Sequence, residues 1–159
     1  MIHGVFNQIS DPDTNQITLQ KAEDFYKMVS AHVPFFNIPS HVRRTSRDNI
    51  YKLLQGIDHL HVPKTVKIQP KSPKDIYDTI KEEGFEFPVI FRQAGDHGGV
   101  STVRVDDETE QFYVFPLDGR DYYLTQFVEY FDENGLYKKY RLMVVDGKVY
   151  LRHVKVSAG

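Results

Sequence analysis

The chain opens on a short apolar run, IHGVF (residues 2–6), which predicts a buried strand, and SDPDTN after it has loop chemistry. From Thr18 to about His32 the period lengthens: Leu19, Ala22, Tyr26 and Val29 recur at helical spacing. PFFNIPS interrupts that pattern with two prolines. A second helix is predicted from Thr45 or Ser46, presenting Ile50, Leu53, Leu54 and Ile57 on one face, with Thr45 and Asp48 at the spacing of a capping pair.

Pro63 marks the entry to TVKI (65–68), a strand. Ser72-Pro73-Lys74-Asp75 reads as a helix start: a hydroxyl cap, Pro in the first turn, and an acid facing the positive end of the helix dipole. Gly84 closes that helix. Phe87 to Phe91 is the next strand, and Asp106 to Phe115 favours a short helix. The tail is β-rich: YYLTQFVEY, LYKKYRLMVV and KVYLRHVKV, separated by DENG and DG. Asp146-Gly147 between apolar alternations predicts a two-residue hairpin, since that turn needs positive φ. Counting outward pairs Val145 with Lys148, Met143 with Tyr150, Arg141 with Arg152 and Tyr140 with His153. Arg141 and Arg152 then share a face, with His153 and Lys155 on the other. Two arginines so placed imply an acidic neighbour or an anionic ligand.

These elements predict an α/β fold: a strand-helix segment, a small strand-helix-strand lobe, and a C-terminal antiparallel sheet. Its 159 residues suit one domain or two small lobes, and 40% apolar content supplies a core. Twenty Lys and Arg against 22 Asp and Glu give a net charge of -2, which offers no general attraction for nucleic acid or a membrane surface. There is no cysteine, so disulfides and thiolate metal sites are excluded. No apolar run is long enough to span a membrane, and MIHGVFNQISD has neither a basic leader nor a long apolar segment, so a cytoplasmic protein is expected. His59-x-His61 has no third ligand at suitable spacing, and no metal site is expected within the chain.

The most informative stretch is FPVIFRQAGDHGGVST (87–102). A strand ends in Arg92, and a loop with Gly95, Gly98 and Gly99 follows. Glycines there let backbone amides meet an anion, His97 and Ser101 are further donors, and Arg92 carries a permanent charge. The loop matches neither the GxxxxGK[ST] nor the GxGxxG pattern. By itself it reads either as a phosphate loop or as a turn.

A strand ending in a basic residue, a glycine loop, the strand YYLTQFVEY and the hairpin YRLMVVDGKVYLRHVKVS together resemble the ATP-grasp superfamily, in its carboxylate–amine ligase branch. Glutathione synthetase and the ribosomal-protein glutamate ligases belong to that branch. The resemblance implies that Arg92 and Gly95 to Ser101, including His97, Gly98 and Gly99, fold over the triphosphate of ATP. It implies that Gln126, Phe127, Val128 and Glu129 form a hinge strand gripping the adenine, and that Arg141 reaches the acyl-phosphate region as the catalytic arginine. Residues 1–48 then end a substrate-side domain, 49–120 form the first nucleotide lobe with the glycine loop, and 121–159 begin the second. The implied activity is ATP-dependent activation of a carboxylate as an acyl phosphate, captured by an amine; the partners are ATP and those two substrates.

Three departures bear on this. Arg92 stands where the family carries Lys, Asp96 brings a negative charge into the loop, and the family's magnesium ligands come after the hairpin, where this chain ends at Ser157-Ala158-Gly159. A portion of a longer protein is expected, inactive alone, with the Mg2+ ligands outside it. A nucleotide-binding or regulatory module without catalysis, and a plain interaction domain, are the alternatives.

Overall fold

The computed structural model describes residues 2–96, 99–108 and 110–158. In chain order the elements are β1 (Val5–Phe6), α1 (Gln16–Val29), β2 (Phe35–Phe36), α2 (Pro39–Arg43), α3 (Arg47–Leu54), β3 (Thr65–Ile68), α4 (Pro73–Glu82), β4 (Val89–Gln93), β5 (Thr102–Val105), a 3-10 helix (Glu110–Val114), β6 (Tyr122–Gln126), β7 (Leu136–Val145) and β8 (Lys148–Ala158). The expected mixed α/β class is observed, with mostly antiparallel pairing. Two compact units divide after Phe127. No helix among the described residues is long and apolar enough to cross a membrane.

In the first unit β1 and β2 pair in parallel, joined by α1. The strand at β1 is shorter than the apolar run suggests and is not buried: Phe6 is 63% exposed and lies against Phe36. PFFNIPS is not only a break, because its two phenylalanines form β2 before Pro39 opens α2. α1 buries Leu19 and turns Ala22, Tyr26 and Val29 partly inward. The cap of α3 is Ser46, whose hydroxyl donates to Asp48 at 2.8 Å; Thr45 instead donates to the Val42 carbonyl. Leu53, expected on the packed face, is 55% exposed, while Ile50 and Leu54 are half-buried.

The central element is a four-stranded sheet in the order β3-β6-β4-β5. α4 follows β3 because its start and stop are written locally. The Ser72 amide donates to Asp75 at 3.0 Å. At the other end Gly84 sits at φ 66°, its amide bonding Lys81 O and that of Phe85 bonding Ile80 O, a left-handed closure that suits glycine. One sheet face packs Val89, Phe91, Val105, Tyr122 and Leu124 against Ile76 and Ile80 of α4 and Phe112 and Phe115 near the 3-10 helix. Phe91 stacks on Tyr122 with centroids 4.7 Å apart and meets the Phe112 and Phe115 rings edge-on at 5.1 and 4.8 Å. β5 is an element the periodicity does not single out, so the glycine loop joins two antiparallel neighbours.

The second unit is the β7–β8 hairpin, closed by Asp146 and Gly147, both at positive φ as expected. Pairing follows the counted register from Val145–Lys148 to Leu142–Leu151, then slips. A bulge places Arg141 opposite His153 and Tyr140 opposite Val154, not opposite Arg152 and His153. Arg141 and His153 therefore share a face. The cause lies in β8, where the apolar alternation of Val149 and Leu151 resumes out of phase at Val154 and Val156. One extra residue restores the phase, so Tyr140, Leu142, Val144, Val149, Leu151 and Val154 fall on one side. The run YYLTQFVEY is strand only as far as Gln126.

Candidate functional site

The sheet face opposite the core is polar. Register places Thr65 and Lys67 of β3, Tyr123 and Thr125 of β6, Ile90 and Arg92 of β4, and Thr102 and Arg104 of β5 on it. Two cations, Lys67 and Arg92, thus flank Tyr123. No motif singles out Lys67 in the sequence, although alternation within TVKI already puts it on the Thr65 side.

Lys67 is anchored by the β1–α1 loop. Its ammonium meets Asp13 at 2.7 Å and Asp121 at 3.6 Å, and the Tyr123 hydroxyl donates to the same Asp13 carboxylate at 2.7 and 2.9 Å. Burial works to lower the pKa of the Lys67 ammonium, but the hydrogen bonds with Asp13 and Tyr123 outweigh it and hold that pKa above its ordinary value. Burial, then the Asp13 bond, raise the Tyr123 hydroxyl, against the opposing pull of Lys67. Beside this cluster lies a cleft of about 490 Å³ lined by Asp11, Asp13, Thr45, Arg47, Thr65 and Thr125, among others.

At the end of β4, Arg92 is half-buried and donates to the Asp96 carbonyl. The Asp96 carboxylate accepts from the Ser101 amide at 2.9 Å and its hydroxyl at 2.8 Å. Desolvation, then the charge of nearby Arg47, lower the Arg92 guanidinium from its ordinary value, while Asp96 acts to raise it. Gly95, at φ 78°, has Thr14 so close that an added Cβ would lie 2.5 Å from its methyl carbon. Both backbone and space therefore require glycine there. Gly99 also has positive φ but open surroundings. His97 and Gly98 lie outside the described residues. Arg92, Gly95, Gly99 and Ser101 are thus placed on one loop, with Arg92 and Ser101 satisfied by Asp96.

Gln126 and Phe127 stand at the other end of the β4–β6 ladder, since Val89 pairs with Gln126 and Gln93 with Tyr122. Four residue steps separate the ends, roughly 13 Å. The Gln126 side chain clamps the segment before β4, accepting from the Glu86 amide at 3.1 Å and donating to Glu86 O at 2.8 Å. The Gln126 amide bonds Lys64 O and that of Phe127 bonds Pro88 O. Val128, Glu129 and Arg141 belong to the second unit, where Glu129 accepts from the Tyr137 hydroxyl. The His153 imidazole is lowered by desolvation and then by the Arg141, Lys155 and Arg152 charges.

Among the described residues no three His, Asp or Glu side chains are grouped to hold a metal ion.

No protein-family model matches the chain, and no curated protein sequence matches it. Solved structures do. D-alanyl-alanine synthetase A from Vibrio cholerae O1 biovar eltor superimposes with a TM-score of 0.50 at 14% identity, covering 84% of this chain and 40% of that one. D-Alanine-D-alanine ligase from Helicobacter pylori does so with a TM-score of 0.51 at 12% identity, covering 85% and 40%. The chain thus spans about 40% of the length of either ligase. D-Alanine–D-alanine ligases are ATP-grasp carboxylate–amine ligases. At these identities the likeness is one of fold, and the fold of this chain is ATP-grasp-like.

Proposed function

We propose that this chain is the ATP-binding portion of a ligase that activates a carboxylate for capture by an amine. The observation that carries the reading is the polar sheet face, where Lys67 and Arg92 flank Tyr123 beside a glycine loop, within an ATP-grasp-like fold. In this reading the triphosphate lies on that face, beside the loop that carries Gly95 and Gly99, and the adenine lies at the Gln126–Phe127 end of β6. The substrate carboxylate attacks the terminal phosphorus, ADP leaves, and the amine then displaces phosphate from the acyl carbon. Lys67, Arg92 and the loop amides lower the cost of charge on the phosphates. Magnesium is left to residues outside those described. A purely nucleotide-binding module is the second reading, favoured by Asp96, which already occupies Arg92 and Ser101.

The test is calorimetric titration of ATP and adenosine into the parent chain and Arg92→Ala. ATP should bind the parent, and Arg92→Ala should weaken it by about 1.5 kcal/mol, the low end for a charged hydrogen bond because Arg92 must first leave the Asp96 carbonyl. Adenosine should not distinguish the two proteins. An ATP affinity that ignores Arg92→Ala, or no ATP binding, overturns the reading.

A further inference from the structure

The bulge decides which side chains share the second face of the β7–β8 hairpin. Counted from the turn without a slip, Arg141 would meet Arg152, and His153 would lie opposite Tyr140 on the apolar side. The slip leaves Arg152 as the extra residue and sets Arg141 directly opposite His153, with Lys139 opposite Lys155 at the next pair on the same face. Paired residues of an antiparallel ladder stand about 5 Å apart, and successive residues on one face about 7 Å along the strand. Four basic side chains therefore rise from a patch small enough for all of them to reach one ligand.

Nothing on the hairpin balances them. Among the described residues none of the four makes a side-chain hydrogen bond or an ion pair, and the acids nearby are taken, Asp132 by Lys138 and Glu129 by the Tyr137 hydroxyl. The rest of the face carries Tyr137, Ser157, Met143, Tyr150, Val145 and Lys148, with no carboxylate. Like charges directly opposite one another weaken a ladder, and a two-stranded hairpin has little stability to spare. Lys139, Arg141 and Lys155 are exposed, and His153 is half-buried. Desolvation, then the charges of Arg141, Lys155 and Arg152, hold the His153 imidazole below its ordinary value, so at neutral pH it stands mostly uncharged beside fixed cations.

We propose that Lys139, Arg141, His153 and Lys155 form a binding site for an oligophosphate, and that His153 takes up a proton from solvent as the ligand binds. Arg141 offers a planar fork to phosphate oxygens, and the two lysines offer compact point charges. Their combined charge exceeds that of one phosphate group, so linked phosphates match it better. A neutral imidazole has one N–H to donate and an imidazolium two. The incoming anion cancels the repulsion that kept His153 uncharged, so its pKa rises on binding and affinity rises as pH falls. The site lies on the hairpin alone and does not depend on the nucleotide reading.

The experiment follows the imidazole resonances of the seven histidines by NMR, with His153→Gln identifying that of His153. It uses the full chain and Arg92→Ala, the latter removing a phosphate contact on the four-stranded sheet. Inorganic tripolyphosphate should raise the His153 titration midpoint by about one unit in both. Calorimetry should find Arg141→Ala about tenfold weaker for the probe, and Lys139→Ala weakened as well. Lys148→Ala removes the same charge from the same face two pairs nearer the turn and should bind like the parent. Between about pH 8 and about pH 6 the parent should gain more affinity than His153→Gln, the probe's own titration being common to both. NMR contacts between Tyr140 and Val154 check that each variant keeps the ladder. ATP producing the same His153 response in Arg92→Ala identifies a nucleotide tail as the source of the phosphates; a response to tripolyphosphate alone identifies a free oligophosphate. Equal losses in Arg141→Ala and Lys148→Ala would reduce the face to diffuse charge attraction and overturn the site, as would an unmoved His153 midpoint or no binding of the probe. ATP binding that needs Arg92 while His153 stays unmoved removes the hairpin site and leaves the nucleotide reading standing.

Discussion

Removing the Asp13 carboxylate should damage the first unit more than any other single change to the polar sheet face. Asp13 is 11% exposed and Lys67 24%, and Asp13 accepts from both Lys67 and Tyr123. Breaking a buried ion pair from one side costs about 3–5 kcal/mol because the remaining charge is stranded. Lys67 falls at or below the bottom of that range, since Asp121 stays 3.6 Å away and its flexible stem can seek water. Tyr123, only 1% exposed, has no such escape, and an orphaned hydroxyl adds about 1–3 kcal/mol. The contributions overlap within one cluster, so the whole loss for Asp13→Ala is set at about 3 kcal/mol. For a chain of this length that corresponds to roughly 6–12 °C in Tm.

Urea unfolding followed by circular dichroism measures it, alongside Lys67→Met, Tyr123→Phe and the Asp13→Ala/Lys67→Met double variant. The double variant should lose less than the sum of its singles, by about 1 kcal/mol or more. Raising the pH tests the same cluster. Lys67 and Tyr123 are both held above their ordinary values of 10.5 and 10.0 in the folded chain. Each favours the protonated form on folding, so their contribution is complete below those ordinary values and is lost as pH rises towards the folded ones. The parent should therefore weaken above about pH 10 more steeply than Asp13→Ala. A loss below about 0.5 kcal/mol for Asp13→Ala, the range of ordinary surface changes, would refute the reasoning.

Three further changes probe local features. Gly84→Ala places a side chain at φ 66° with nothing within 4 Å, so only backbone strain acts, and urea unfolding should register about 1 kcal/mol. Gln126→Ala removes the clamp on Glu86 and should cost about 1–2 kcal/mol, with amide exchange rising at Glu86; unchanged exchange would return Gln126 to a purely ligand-facing role. Deleting Arg152 should remove the bulge while preserving every other cross-strand pair, so contacts between Tyr140 and Val154 in NMR spectra should persist; their loss would mean the slip is not absorbed at that residue.

Elements set by neighbouring residues are legible in the chain itself. Ser72, Pro73 and Asp75 start α4, Gly84 stops it, and Asp146-Gly147 closes the hairpin, because caps and tight turns depend on the φ preferences and side chains of a few adjacent positions. The bulge is also written in the chain, as a phase slip between Leu151 and Val154, but counting from the turn alone passes over it. Long-range partners are not legible. Asp13 meets Tyr123 across 110 residues and Lys67 across 54, and nothing in SDPDTN distinguishes that acid from a solvated loop. Lys67 escapes notice for the same reason: a lysine in a short strand acquires meaning only when β6 lies between it and Arg92.

Asp96 shows how such long-range blindness changes a chemical argument. Along the chain, a carboxylate inside a phosphate loop is an obstacle, to be excused only if it points outward. In the fold it instead closes the loop on itself, with its carbonyl on Arg92 and its carboxylate on the amide and hydroxyl of Ser101. The Ser101 donors are therefore held in place by an internal acid, much as Lys67 is held by Asp13, while Arg92 is held by the Asp96 backbone carbonyl. Preorganised donors need less ordering when a ligand arrives, but the ligand must displace or share the acid that organised them. In the proposed nucleotide reading, affinity for an anion at this face is thus a difference between two sets of charged hydrogen bonds. Variants that weaken the internal acids should raise that affinity even while they lower stability.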